Sequence, residues 1–365
     1  MYLEDSFRVI YSGKEYGMKR FRIALAGCGG MANTWVKYAL SRDDVEIVAL
    51  VDIIEEKAKA MAMRHGLTCN AHRDIVEAIT ESGANLVFNV TTPAAHRDIV
   101  IPALGLGCDV FGEKPMATSM EEAVGMISAA ENAGRIYGVM QNRRYNKNIR
   151  ALRELVFSGA IGKVGFVCAD FFLGPHFGGF RDVMDHLLIL DMSIHTFDQA
   201  RFITGADPVS IYCHEFNPQG SWYKGNAAAV CIFEFSDGSI FCYRGSWCAE
   251  GSPTSWEASW RITGTKGTAI WDGANTPYCE VVIPSDEDRF INDYKRIDAS
   301  TSWDGREGHF GCLDEMFSAV SENRRPETDC ADNVKSLAMV FAAIESDRER
   351  RQIHIRKSSR SDIGE

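Results

Sequence analysis

Residues 21–52 read FRIALAGCGGMANTWVKYALSRDDVEIVALVD. A short apolar run ends at Gly27, helix-compatible residues follow it, and a second apolar run ends at Asp52. This order of strand, turn, helix and strand predicts a βαβ unit, whose two strands must pair in parallel. Strands and helices continue to alternate as far as Asn142, with a helix broken near Pro102 and another that starts at Ser119 as its N-cap. The pattern predicts an α/β domain with a doubly wound parallel sheet.

The turn inside this unit has a pattern typical of dinucleotide-binding loops. Residues 27–32, GCGGMA, fit G-x-G-x-x-G/A directly after a strand and before a helix. Gly29 lets a pyrophosphate approach the backbone, and the helix N-terminus favours its negative charge. Asp52 can accept hydrogen bonds from the adenosine ribose, and NAD is favoured over NADP because Ile53 and Ile54 carry no positive charge. The predicted contacts of the cofactor are Gly27, Gly29, Gly30, Met31, Asp52 and Ile53.

The pattern changes after Asn142. A helix is predicted at 146–159 and another at 187–204, and β-rich segments lie at 164–172, 208–216, 227–235, 239–247 and 257–264. Two further helices cover about 308–349, with a break at Pro326. We therefore predict an N-terminal extension at 1–17, a dinucleotide-binding domain at 18–142, and an α+β domain with a largely antiparallel sheet at 143–365. The helices at 308–349 are expected to pack back toward the first domain.

Composition excludes several classes of protein. The 365 residues carry 39 Lys and Arg against 50 Asp and Glu, a net charge of -11, which argues against a general binder of nucleic-acid backbones. Eleven scattered cysteines without a CxxC pair indicate reduced thiols and a cytoplasmic protein. No apolar run is long enough for a membrane span, the start does not read as a secretory signal, and no metal-ligand spacing is present.

Two sites carry residues suited to proton chemistry. Lys114 follows a strand of the parallel sheet, where ligands bind. Asp191, His195 and Asp198 are spaced to share one face of the helix at 187–204, and a histidine exchanges protons near neutral pH. The structural alternatives are an exposed lysine, a core histidine held by Asp191, and a salt bridge from Asp198 to Arg201 or Arg144.

Several short motifs together resemble the Gfo/Idh/MocA family of glucose-fructose oxidoreductase and inositol dehydrogenase. They are GCGGMA at 27–32, TTPAAH at 91–96, EKP at 113–115, NRRY at 142–145 and the D-x-x-x-H-x-x-D helix. The resemblance covers about residues 19–350. It implies a Rossmann domain joined to a substrate domain whose open sheet commonly forms homodimers or homotetramers. It also implies NAD(P)-dependent oxidation or reduction of a ring hydroxyl in a sugar, polyol or glycoside.

The resemblance also implies roles for single residues. Lys114 matches the lysine that hydrogen-bonds the reacting oxygen, Asp191 the carboxylate that positions the sugar, and His195 the acid/base that exchanges the hydroxyl proton. Cofactor-lining positions are matched by Thr91, Thr92, Pro93, His96, Glu113 and Lys114. Ser193 departs from the pattern, since many members have glycine there, and this puts a close backbone approach in doubt.

Substrate contacts are expected from the NRRY motif and from the glycine-containing loop at 173–186. The predicted residues are Arg144, His176, Arg181, Asp185 and His186. The leading hypothesis is an NAD-dependent dehydrogenase. The alternatives are a lyase or glycosidase in which tightly held NAD transiently oxidises a hydroxyl, and a catalytically silent NAD-binding sensor.

Overall fold

The computed structural model describes residues 20–286 and 289–355, so the predicted extension at 1–17 lies outside the described residues. The chain divides into two compact units after Val90. The predicted boundary at 142 stays a prediction, and the two units are described one after the other.

The first unit is a parallel sheet with helices between its strands. In chain order it contains β1 (Phe21–Ala26), α1 (Ala32–Leu40), β2 (Val45–Val51), α2 (Glu55–His65), β3 (Asn70–His72), α3 (Ile75–Ser82) and β4 (Leu86–Asn89). The strands lie in the order β3-β2-β1-β4, and every pair is parallel. Trp35 of α1 packs edge-on against Phe88 of β4, with ring centroids 4.8 Å apart. Fully buried aliphatic side chains of β1 and β2 complete this core.

The second unit opens with more of the same alternation. It contains α4 (His96–Gly105), β5 (Asp109–Gly112), α5 (Met120–Ala133) and β6 (Tyr137–Val139), and β5 pairs in parallel with β6. Ser119 caps α5 by accepting a hydrogen bond from the Glu122 N–H, as predicted. The six parallel strands of the chain make up the predicted doubly wound sheet, which is confirmed.

The expected break of α4 at Pro102 was wrong, because α4 continues through this residue to Gly105. Proline removes only its own N–H from the helix, and the helix ends one turn later. Pro102 still accepts a hydrogen bond from the Leu106 N–H (3.0 Å), so the last turn is closed.

A nine-stranded sheet forms most of the second unit. Its strands are β7 (Val164–Phe172), β8 (Pro208–Phe216), β9 (Ala228–Phe235), β10 (Ile240–Ser246), β11 (Ser259–Gly264), β12 (Gly267–Trp271), β13 (Tyr278–Val282), β14 (Tyr294–Asp298) and β15 (Ile353–His354). The order is β14-β13-β12-β11-β7-β10-β9-β8-β15, and only β7 and β10 pair in parallel. A hairpin turn at Asp237-Gly238 joins β9 to β10, with Gly238 at φ 83°. The prediction of a large, mostly antiparallel sheet is confirmed.

Helices cover one face of this sheet. The helices that contact its strands are α6 (Lys147–Phe157), α7 (Ile194–Thr204) and α9 (Cys330–Glu349), whereas α8 (Gly308–Ser321) packs mainly on the 3-10 turn Asn142–Arg144. Phe197 of α7 packs against Phe233 of β9 and Tyr243 of β10, with ring centroids 4.9 and 5.3 Å apart. Within this unit α9 also contacts α5 and β6. No helix in the described ranges is long and apolar enough to cross a membrane.

The predicted helix at 187–204 is present, but its first part is not a regular α-helix. Residues Leu188–Ser193 form a π-helical segment, and the regular helix α7 begins only at Ile194. A π-helix has i→i+5 hydrogen bonds and therefore turns each residue by a smaller angle than an α-helix. Side chains before and after Ser193 consequently do not follow the single face that the sequence spacing predicts.

Candidate functional site

The glycine loop of the first unit leaves open space above its backbone. Gly27 has φ 91°, the left-handed region that favours glycine, and its N–H bonds the Val51 carbonyl (2.8 Å). A Cβ placed on Gly29 or Gly30 meets no atom within 4 Å. Because α1 begins directly afterwards at Ala32, the positive end of its dipole lies beside this space. The loop therefore fits the pyrophosphate of a dinucleotide.

The Asp52 carboxylate is held by hydrogen bonds from two backbone N–H groups. It accepts hydrogen bonds from the Cys28 N–H (3.0 Å) and the Ile54 N–H (2.9 Å), one on each oxygen. A carboxylate oxygen has more than one acceptor site, so both oxygens can still accept bonds from ribose hydroxyls. Ile53 beside it is 77% exposed. Arg73 donates from Nε to the Ile53 carbonyl (3.2 Å), a cation near this loop that the sequence spacing did not reveal.

A buried histidine contacts the backbone of the TTP segment in the second unit. Thr91 and Thr92 precede a short 3-10 turn, Pro93–Ala95, and His96 follows it as the first residue of α4. The His96 ring is fully buried, 3.2 Å from the Thr91 carbonyl and 3.4 Å from the Met116 carbonyl. Burial lowers the pKa of His96. In the structure His96 therefore contacts the backbone of Thr91.

Lys114 is joined to the π-helical segment. Its Nζ donates a hydrogen bond to the backbone carbonyl of Asp191 (2.9 Å). Desolvation lowers the pKa of Lys114, and the nearby Asp191 and Glu113 carboxylates only partly oppose this effect. The structure thus joins Lys114 to the segment that carries Asp191.

The Asp191 carboxylate accepts two hydrogen bonds from Arg181. The guanidinium donates from Nε (2.8 Å) and from a terminal nitrogen (3.2 Å), one bond to each carboxylate oxygen. Arg181 itself lies over the rings of Phe177 and Phe180, both 4.8 Å from its central carbon. The structure thus brings a predicted substrate residue, Arg181, onto a predicted catalytic one.

His195 is buried with an open hydrogen-bonding position. The residue is 8% exposed, and its Nδ1 has no hydrogen-bond partner among the described residues. Desolvation lowers the pKa of His195 well below its ordinary value, and the positive charges of Lys114, Arg143 and His309 lower it further. A histidine in this state is neutral at pH 7 and can accept a proton.

Ser193 closes the π-helical segment. Its hydroxyl lies 3.1 Å from the Leu188 carbonyl and 3.0 Å from the Tyr243 hydroxyl, and both side chains are fully buried. Glycine at this position lacks these contacts. Ser193, which departs from the family pattern, therefore stabilises the turn between Asp191 and His195 through its hydroxyl.

Asp198 does not join Asp191 and His195. Its carboxylate accepts two hydrogen bonds from Arg144 (2.6 and 2.7 Å) and one from Ser336 (2.7 Å), and all three residues are buried. Arg144 also bonds Asp332 (2.9 Å). The salt bridge that the sequence offered as the alternative for Asp198 is thus what the structure shows, and Arg144 is committed to it.

Two further side chains of the cluster were missed by the sequence reasoning. Arg143 lies 3.4 Å from Glu257 and 3.6 Å from the Met192 sulfur. His309, at the start of α8, lies 3.4 Å from the Asn142 amide and 3.8 Å from Glu113. The NRRY motif was a signal for Arg143, but the position of His309 depends on a segment far along the chain.

The other predicted substrate residues lie in separate contacts. His176 stacks on Trp222 at 3.9 Å and pairs with the exposed Glu250 (2.9 Å). His186 pairs with the buried Glu215 (2.5 Å), and this hydrogen bond raises the pKa of His186. Asp185 accepts a hydrogen bond at its backbone carbonyl from the Asn226 N–H (2.7 Å). The contacts of these three residues do not include Lys114, Asp191 or His195.

Comparison with known proteins matches both parts of the chain. Residues 21–141 match the model of the Gfo/Idh/MocA oxidoreductase family described as an NAD-binding Rossmann fold, and residues 149–270 match a C-terminal domain model of the same family. D-apiose dehydrogenase of Paraburkholderia graminis is 26% identical, over 96% of this chain and 94% of its own length. The 1,5-anhydro-D-fructose reductase of Ensifer adhaerens is 25% identical, over 89% of this chain and 96% of its own length.

Solved structures share the fold over nearly the whole chain. An oxidoreductase of Agrobacterium radiobacter, solved in complex with NAD+, L-tartaric acid and magnesium, matches with a TM-score of 0.79. It is 26% identical, and the match covers 92% of this chain and 98% of that one.

Proposed function

Because the chain belongs to the Gfo/Idh/MocA family of NAD-binding oxidoreductases, we propose that it oxidises a ring hydroxyl of a sugar, an inositol-like polyol or a glycoside. The observation that supports the proposal is a cluster of three side chains. Lys114 is hydrogen-bonded to the π-helical segment that carries Asp191, and His195 lies at the start of α7. The names of two relatives, a D-apiose dehydrogenase and an anhydrofructose reductase, support a carbohydrate as the substrate.

In the proposed reaction the chain supplies a base and a cation. Bound NAD supplies the hydride acceptor. The neutral His195 accepts the hydroxyl proton. The Lys114 ammonium stabilises the negative charge that develops on the oxygen as its proton leaves. Neither group acts alone, because loss of the proton and loss of the hydride from carbon must proceed together.

We propose that Asp191 binds the substrate hydroxyls next to the one that reacts. A carboxylate can accept two sugar hydroxyl hydrogens, and in this structure Arg181 already donates one hydrogen bond to each oxygen. A substrate therefore shares Asp191 with Arg181 or displaces it. Arg181 lies on the 3-10 turn Gly179–Val183, within the loop that the sequence singles out for specificity.

The test is NADH formation with NAD, and separately with NADP, against a panel of free sugars, inositols, sugar acids and glycosides. We expect absorbance at 340 nm with one substrate class under NAD. His195→Asn should lower kcat by about 100-fold or more, the size of a general-base contribution. Lys114→Ala should lower it similarly, and Lys163→Ala, an exposed lysine at the start of the nine-stranded sheet, should not.

Two outcomes contradict the proposal in different ways. Consumption of a glycoside without accumulated NADH assigns the chain to redox-assisted elimination. Full activity of Lys114→Ala and His195→Asn removes the assigned roles.

A further inference from the structure

A second group of potential ligands lies in the first unit. Single ligand atoms of His72, Glu77 and Glu81 all lie within 4.8 Å of one another. These residues line a cavity of about 500 Å³ together with Cys69 and Lys59, among others. None of them belongs to the glycine loop.

The local fold places both carboxylates toward the histidine. His72 ends β3, and Asp74 caps α3 by accepting a hydrogen bond from the Glu77 N–H (2.9 Å). Glu77 and Glu81 are one helical turn apart on α3, so they share a face. Like charges at this spacing destabilise a helix, and no Lys or Arg in the described ranges forms an ion pair with either of them. Lys59 pairs instead with Glu55 (2.5 Å).

The histidine gives an independent indication of a ligand. His72 is only 7% exposed, and its ring makes no hydrogen bond within the part of the chain that the structure describes. Its ring nitrogens are not sealed from solvent, so water can satisfy them in the free protein and a metal ion can reach them. The ring is directed at the two carboxylates, so a cation between the three groups satisfies all of them at once.

We propose that His72, Glu77 and Glu81 bind a divalent transition-metal ion, with Zn²⁺ as the preferred ion. One imidazole nitrogen and two carboxylate oxygens are a donor set that suits Zn²⁺, and water completes the coordination. Ligands about 2.1 Å from a tetrahedral Zn²⁺ lie about 3.4 Å apart, so atoms that now lie within 4.8 Å of one another approach by at most about 1.4 Å on binding. The two glutamates are exposed and long enough for this movement.

The site is connected to Asp52 through the backbone. The His72 carbonyl accepts a hydrogen bond from the Asp52 N–H (3.1 Å), and the next residue, Arg73, bonds the Ile53 carbonyl (3.2 Å). A metal that fixes His72 also fixes the β3–α3 connection beside Asp52. We therefore expect Zn²⁺ to tighten NAD binding, by about threefold to tenfold. This part rests on the proposed role of Asp52, whereas the metal site does not.

The experiment is calorimetric titration of ZnCl₂ into the full-length protein after removal of metal with EDTA. We expect one site per chain with a Kd in the micromolar range. His72→Gln should weaken it at least tenfold, and the double variant Glu77→Gln with Glu81→Gln should do the same without altering the buried residue. Glu121→Gln, an exposed glutamate on α5, is the matched control and should bind as the unmodified chain does.

Two measurements separate this site from binding to the cysteines. Co²⁺ in place of Zn²⁺ should give visible d–d bands without the near-ultraviolet charge-transfer band of a thiolate, and Cys69→Ser should bind unchanged. Equal Zn²⁺ affinity in all variants, or loss of binding only in Cys69→Ser, overturns the site. Unchanged NAD affinity with Zn²⁺ bound overturns the connection to Asp52 and leaves the metal site standing.

Discussion

His195 lies among positive charges, and this determines how its reaction depends on pH. Burial, Lys114, Arg143 and His309 all lower its pKa below 6.5. A lowered pKa keeps the base form present as the pH falls through 6.5, and protonation sets in only below the shifted value. We predict that the acidic limb of the kcat/KM profile has its midpoint below pH 6.5, measured by initial rates between pH 4.5 and 9.

The same reasoning predicts a shift in a variant. Lys114→Ala removes one of the positive charges, so the pKa of His195 should rise and the acidic limb of the residual activity should move to higher pH. Lys163→Ala is the control and should leave the limb in place. A limb that does not move in Lys114→Ala would show that the two groups do not interact electrostatically.

Asp52 is the residue on which we expect the choice between NAD and NADP to depend. In Asp52→Asn one oxygen is replaced by a donor, so one of the two backbone hydrogen bonds and at least one ribose contact are lost. We predict about tenfold weaker NAD binding with a smaller relative loss for NADP, because the charge that repels a 2′-phosphate is gone. Calorimetry with both cofactors checks this, and an unchanged NAD-to-NADP ratio contradicts it.

At the scale of elements, the π-helical segment sets the relation between Asp191 and His195. Ser193→Ala removes a hydroxyl and leaves the fully buried Tyr243 hydroxyl without that neighbour. We predict a loss of about 1–3 kcal/mol in the free energy of unfolding, the usual result of leaving a buried polar group unpaired. Urea unfolding followed by circular dichroism measures it.

A double variant separates the hydrogen bond from packing. Tyr243→Phe alone should destabilise the protein, and Ser193→Ala combined with Tyr243→Phe should lose less than the sum of the two single changes. Strict additivity would show that the two hydroxyls do not support each other.

The elements also show where reasoning from the sequence ends. The βαβ unit with its glycine loop and Asp52 could be predicted because the signals lie close together in the chain. The π-helical segment could not, because Ser193 meets Tyr243 across 50 positions of sequence. The same holds for Asp198, whose spacing suggests a shared face with His195 but whose carboxylate is bound by Arg144 and Ser336. His72 gave no signal, because its environment is created by α3.

At the scale of the whole molecule, one face of the nine-stranded sheet is covered by no helix from the described residues. Cross-strand register places Tyr212, Ile232, Cys242, Cys168 and Arg261 in a row on this face. Tyr212 and Ile232 are each 45% exposed, and Phe166 and Val230 add apolar area nearby. Exposed apolar patches of this kind mark association sites.

We predict that two copies of the chain associate through this face. Light scattering after size exclusion should give twice the chain mass or a multiple of it, and Ile232→Lys should yield the monomer because it buries a charge at the centre of the row. Glu121→Lys on α5 is the control. A monomeric unmodified chain at micromolar concentration contradicts the prediction.

The two edge strands of the same sheet determine whether further strands can be added to it. Within the described chain, β14 forms one edge and presents Lys295, Arg296 and Asp298, while the other edge, β15, is two residues long. Charged or very short edge strands discourage the addition of further strands from other molecules. Both edges of the sheet therefore discourage edge-to-edge growth into fibres.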